Sequence, residues 1–176
     1  LSVINEELIP ALDVVGQGFE KGTLFLPQLL MSAEAAKAAF EIVQNAMSGE
    51  DRPKQGAVVL ATVKGDIHDI GKNIVKVLLE NYSFEVADLG RDVAPEAIVE
   101  AASRPGVKLV GLSALMTTTV VSMEETIRQL RSACPQVKIV VGGAVLTPAY
   151  ADQIGADCYA KDAMATVRYA KEVYGL

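Results

Sequence analysis

The segment Lys64-Gly65-Asp66-Ile67-His68-Asp69-Ile70-Gly71 contains the only histidine of the 176-residue chain. Zinc or non-haem iron needs several protein ligands drawn from nitrogen, sulfur and carboxylate. Here the two cysteines, Cys134 and Cys158, lie far from His68 and far from each other in sequence. A single imidazole suffices when the metal arrives with its equatorial ligands already in place, inside a macrocycle. The residue types around His68 therefore point to a tetrapyrrole-like cofactor held through one axial nitrogen.

The elements that must position His68 follow from the hydrophobic pattern. From Gly56 onward, short β-branched runs alternate with amphipathic ones. Strands are predicted over 57–63, 84–88, 108–112, 138–141 and 158–160, and helices over 73–81, 95–103, 120–132, 148–154 and 163–174. Five alternating strand–helix units imply an α/β fold, a five-stranded parallel doubly wound sheet of flavodoxin or Rossmann type in the order 2-1-3-4-5. Before it, Ile4, Leu8, Leu12, Val15 and Phe19 recur at helical spacing, and a second helical run follows Pro27 as far as Met47. Residues 1–48 are thus expected to form a short helical cap segment, 49–55 a polar linker and 56–176 the α/β domain. Two helices alone bury little surface, so they must pack on a partner. The chain enters this pattern at Leu1 with no initiating methionine, as expected of a piece of something longer.

Composition narrows the function. Apolar residues make up 51% of the chain, enough for a core, and the net charge of −6 argues against a nucleic-acid surface. No apolar run approaches the roughly 20 residues of a membrane span. Two cysteines in an otherwise disulfide-free chain fit a reducing compartment, so a cytoplasmic location is expected.

In doubly wound sheets, ligands bind outside the carboxyl ends of the strands, beside the switch point. Three unusual loops are predicted there: Asp66 to Gly71 after the first strand, Ser113 to Thr119 after the third, and Gly142-Gly143-Ala144 after the fourth. A corrinoid fits this constellation. His68 offers a neutral imidazole nitrogen to cobalt, while Asp66 accepts the other ring N–H and fixes the tautomer. A hydroxyl such as Thr119 extends the relay. The serine and threonines supply hydroxyls for a displaced nucleotide tail, Gly71 lets the chain turn closely into the next helix, and Gly142 and Gly143 leave an open slot.

Asp66-Ile67-His68-Asp69-Ile70-Gly71 resembles the D-x-H-x-x-G motif of cobalamin-binding domains, with Ser113-Ala114-Leu115 as their S-x-L and Gly142-Gly143 as their G-G. The resemblance covers essentially the whole chain. It is closest to the methyl-carrying branch: the cobalamin module of methionine synthase and the corrinoid proteins of methanol, methylamine and methoxy-aromatic methyltransferase systems. It implies His68 as the lower cobalt ligand, Asp66 as its hydrogen-bond partner, and Thr119 where a serine completes the relay. It further implies cofactor contacts from Asp69, Ile70, Gly71, Leu115, Gly142 and Gly143, and tail contacts from Ser113 and Thr117. The cofactor is then cobalamin or methylcobalamin, and the partners are methyltransferase domains or subunits on the donor and acceptor sides. Homocysteine, tetrahydrofolate or another thiol is the implied acceptor, and the module completes no turnover alone. The family cap usually has four helices where this chain carries two, and Phe25, Leu26 and Met31 are expected over the corrin's upper face.

Plainer readings stand beside these. Asp66 also suits a helix N-cap, Asp69 a solvated first-turn acid, and Thr117 to Thr119 the cap of the following helix. An adenosylcobalamin-dependent mutase domain and a cobalamin-sensing regulator share the histidine motif. A flavodoxin-like domain without corrinoid leaves that motif unexplained.

Overall fold

In the central strand β1 (Gly56–Thr62), every residue from Val58 onward is buried. Continuous burial on both faces is what a parallel strand covered by helices on each side requires. The computed structural model describes residues 7–46 and 55–176; Ile4, Met47 and nearly all of the expected linker lie outside them. The remaining strands are β2 (Phe84–Asp88), β3 (Val107–Ser113), β4 (Lys138–Gly142) and β5 (Cys158–Tyr159). All pair parallel in the order β2-β1-β3-β4-β5, with the direction of winding reversed between β1 and β3.

Side chains along β1 alternate between two cores, following the strand's period of two. Val59 and Ala61 join one apolar cluster with helices α4 (Pro95–Ala102), α5 (Val120–Ala133) and α6 (Pro148–Gln153). Val58 and Leu60 join the other, with α3 (Ile70–Asn81) and α7 (Ala163–Tyr174). Fully buried anchors such as Leu79 and Ile127 each contribute about 1.5–3 kcal/mol of transfer free energy.

The two leading helices, α1 (Ile9–Glu20) and α2 (Leu26–Ala46), find their partner in the sheet-bearing part of the chain. Leu12, Leu29, Ala33 and Ala36 share the second cluster with Leu78, Leu79, Tyr82 and Phe84. Gly22, with φ 70°, lies in the turn between them. Among the described residues, no helix is long and apolar enough to cross a membrane.

Two carboxylates tie strand ends to neighbouring helices. Asp157, just before β5, takes Arg131 Nη2 at 2.5 Å, the Ile139 amide at 2.8 Å and Lys138 Nζ at 3.0 Å. Asp88, ending β2, takes Lys72 Nζ at 2.6 Å, with Lys76 Nζ 3.5 Å away. Burial pushes both carboxyls upward, but the hydrogen bonds and neighbouring cations outweigh it and hold both below the ordinary 3.8. With folded-state values lowered, the unfolded chain binds more protons as pH falls through 3.8. The stability from these groups is therefore complete above that value and is lost below it. The urea midpoint is expected to hold between about pH 7 and 5 and to fall steeply below about pH 4. Asp157→Asn should cost about 1–2 kcal/mol at neutral pH and make the acid decline shallower. An equally steep decline in the variant would show that Asp157 takes no part in it.

Candidate functional site

The loop 63–69 leaves β1 at the carboxyl edge of the sheet and carries Asp66 and His68. The turn closes where the Asp66 amide donates to the Val63 carbonyl at 3.1 Å. A neighbouring loop clasps it from outside. The Asp92 amide donates to the Asp66 carbonyl at 2.9 Å, and the Asp92 carboxylate takes the Gly65 amide at 2.8 Å.

Asp66 is fully buried, and five donors converge on it. Oδ1 accepts from the His68 amide at 3.0 Å and faces His68 Nδ1 at 2.8 Å. Oδ2 accepts from the Leu115 amide at 2.7 Å, the Met116 amide at 3.3 Å and Thr119 Oγ1 at 2.8 Å. Burial pushes this carboxyl upward; the backbone donors His68 and Leu115, with the His68 ring and the Thr119 hydroxyl, outweigh it and hold it far below the usual carboxylate range. An ionised carboxylate only accepts, so Nδ1 carries the proton and Nε2 keeps its lone pair. The ring itself is about half exposed, its side chain at 46%.

Thr119 illustrates how tertiary demand overrides a local role. It sits at the N-cap of α5, yet its side chain makes no capping bond. Its single hydroxyl proton has two acceptors in reach, Asp66 Oδ2 at 2.8 Å and the Met116 carbonyl at 2.9 Å. Asp66 does not cap a helix either: Asp69 is the N-cap of α3, again without a side-chain cap bond.

In front of the imidazole opens a cleft of about 720 Å³. His68, Asp69, Ile70, Gly71, Ser113, Leu115, Gly142 and Gly143 all line it, so three loops separated in sequence meet there. Asp66 and Thr119 stand buried behind the ring. Thr117 is exposed and does not line the cleft. Gly71 lies in the first turn of α3, without a left-handed φ, and an added Cβ would meet nothing within 4 Å. Its bareness keeps the cleft mouth wide; no tight turn requires it. Leu26 lines the cleft together with Phe19, whereas Phe25 and Met31 are 70% exposed and do not.

Sequence reasoning overlooked several lining residues, including Phe19, Lys72, Arg91 and Thr166. Lys72 is buried and spans from α3 to Asp88 and Asn73. The one sequence signal for it was a lysine directly behind the motif glycine.

The donor set fits a metal carried inside a macrocycle. Among the described residues, no group of three or more His, Cys, Asp or Glu is placed to hold a metal ion. Ile67, Ile70 and Leu115 are 61%, 77% and 40% exposed around the imidazole. An exposed apolar collar of this kind suits a flat, largely apolar ligand laid over it.

Comparison with known proteins agrees with this geometry. Residues 56–168 match a family model described as a B12 binding domain, and residues 1–44 match a second model of the same description. Dimethylamine corrinoid protein 1 of Methanosarcina mazei is 44% identical over 174 residues, covering 97% of this chain and 81% of the relative. A cobalamin-binding protein from Desulfitobacterium hafniense superposes with a TM-score of 0.81 at 33% identity, over 92% of this chain and 77% of that one. The methanol:cobalamin methyltransferase complex MtaBC of Methanosarcina barkeri gives a TM-score of 0.86 at 30% identity, over 99% of this chain and 67% of the other. The family model spans most of the chain and the curated relative is 44% identical along nearly all of it: the chain belongs to the B12-binding family of corrinoid proteins, and its cofactor is a corrinoid.

Proposed function

We propose that the chain is a methyl carrier, which receives a methyl group at one partner methyltransferase and yields it at another. One observation carries the reading. His68 Nδ1 is committed to the buried Asp66 carboxylate at 2.8 Å, which leaves Nε2 as a basic, oriented ligand at the cleft mouth. When bound, the corrinoid supplies a cobalt that accepts and releases the methyl group. The chain's own residues do the rest. His68 would hold the corrinoid's cobalt through Nε2, while Asp66, itself held by Thr119, fixes the ring's tautomer. The cleft below shelters the displaced nucleotide tail, and Leu26 and Phe19 reach its rim from the helical pair 9–46, which we read as a partial cap.

Partner subunits supply substrate activation, so the module completes no turnover by itself. The name of the dimethylamine relative speaks for a methylated amine as donor. On the acceptor side we propose homocysteine or another thiol, or tetrahydrofolate. Methionine synthase membership finds no support among the relatives named above. We place the chain in the cytoplasm, consistent with its unpaired cysteines.

The test is reconstitution with methylcobalamin, beside His68→Ala. The wild-type chain is expected to retain cofactor through desalting with a base-off, His-coordinated absorption spectrum. The variant should fold normally, because the half-exposed ring bonds only to Asp66, but should lose that spectrum and about tenfold in affinity. Identical spectra for both proteins would remove His68 from the cobalt. Stable retention of an adenosyl upper ligand instead of methyl would favour the mutase or sensor class.

A further inference from the structure

Deep in the cleft, the sheet contributes a row of residues that are partners in register: Leu60 on β1, Gly111 on β3 and Val140 on β4. Gly111 makes room in that row for the Leu60 side chain, since a Cβ there would stand 2.6 Å from Leu60 Cδ2. Ile74 and Val75 of α3 and Thr166 of α7 also line the cleft. Thr166 is thus a hydroxyl among aliphatic side chains.

Thr166 is 95% buried, its relative exposure being 5%. A buried helical threonine usually turns its hydroxyl onto the carbonyl four residues earlier, as Thr126 does onto Ser122 at 2.7 Å. No such bond to Asp162 or any other described residue is formed by Thr166. Nor is its oxygen among the sealed, unpartnered polar atoms, where Asn81 Oδ1 stands alone. A hydroxyl that is neither bonded nor sealed, on a buried residue lining the cleft, is available to whatever fills that cleft. In the open cleft water can satisfy it, and a ligand that displaces this water must supply a hydrogen bond in its place or lose affinity. A partner from the ligand is the natural complement.

Resting on the corrinoid reading above, we propose that Thr166 hydrogen-bonds a polar atom of the displaced lower nucleotide, and so helps select which corrinoids the chain accepts. That atom is a ring substituent of the lower base or a hydroxyl of its ribose.

Thr166→Val keeps the branched shape and removes the hydroxyl; Thr166→Ser keeps the hydroxyl. Each is titrated with three corrinoids: cobinamide, which has no nucleotide, a cobamide with a dimethylbenzimidazole base, and one with a hydroxybenzimidazole base. Thr166→Val is expected to bind the nucleotide-bearing corrinoids about tenfold more weakly, with cobinamide unchanged and Thr166→Ser close to wild type. Loss confined to the hydroxyl-bearing base places the contact on the base edge, and equal loss for both cobamides places it on the ribose. Unchanged affinity for all three in Thr166→Val, or an equal loss that includes cobinamide, would overturn the assignment. If the wild-type chain retains no corrinoid at all, the methyl-carrier reading fails, which is a separate outcome.

Discussion

Asp66→Ala is expected to destabilise the protein by about 3–5 kcal/mol and to abolish the His-coordinated spectrum of the corrinoid-loaded chain. The fully buried carboxylate gathers two amides of the β3–α5 loop, one amide of its own loop, a hydroxyl and an imidazole N–H. Removing it leaves those donors without a partner in a closed site, each at the cost of desolvation. Asp66→Asn separates the structural from the chemical consequence. Its one amide oxygen can serve Leu115, Met116 and Thr119, which preserves most of the stitching between the loops. Its NH₂ then faces His68 Nδ1, and the ring meets that donor with its lone pair. The proton moves to Nε2, the nitrogen proposed to ligate. Asp66→Asn should therefore remain folded in urea titrations while its corrinoid spectrum loses axial imidazole, with affinity down about 10–100-fold. A wild-type spectrum from the asparagine variant would show that tautomer control is not what Asp66 provides.

The sheet order and the meeting of three loops were legible because they follow from period-two burial and alternation of elements, which are local signals. The pairing of Asp66 with His68 was legible because residues two apart in a loop can meet, and here the turn brings them together. What the sequence concealed depends on distance along the chain. The Lys72–Asp88 pair joins residues 16 apart and the Asp92–Gly65 bond residues 27 apart, and no pattern links either pair. Helix α3 begins at Ile70, not at 73, because Asp69 accepts the Asn73 amide and starts the helix without a side-chain cap to announce it. Thr119 was recognisable as a hydroxyl near the site, but choosing between Asp66 and helix capping needed the fold. Thr117 carries the same side chain two residues earlier and faces away from the cleft. The helical pair was readable as amphipathic, yet only packing revealed that it lies on α3.

The G-G pair was read as an open slot, and the structure divides that role unequally between its two members. At Gly142 a Cβ would stand 3.4 Å from the Ala160 carbonyl oxygen, an ordinary contact. At Gly143, φ is 148°, and a Cβ would lie 1.8 Å from the Ala114 carbonyl oxygen. No side-chain rotation relieves this, because both atoms are fixed by backbone. Gly143→Ala must therefore push the β4–α6 loop away from the β3–α5 loop or break the 3.2 Å bond from the Ala114 amide to the Gly142 carbonyl. With the strain of a conformation foreign to alanine, the cost is about 3–5 kcal/mol. The damage travels to His68, the proposed cobalt ligand, by a short path. Ala114 directly precedes Leu115 and Met116, whose amides hold Asp66 Oδ2, so a displaced Ala114 loosens the carboxylate that orients His68. Gly143→Ala should lower the urea midpoint sharply and weaken His coordination in whatever protein still folds, while Gly142→Ala should change neither by much. Equal behaviour of the two variants would mean that the close approach at Ala114 does not govern the site.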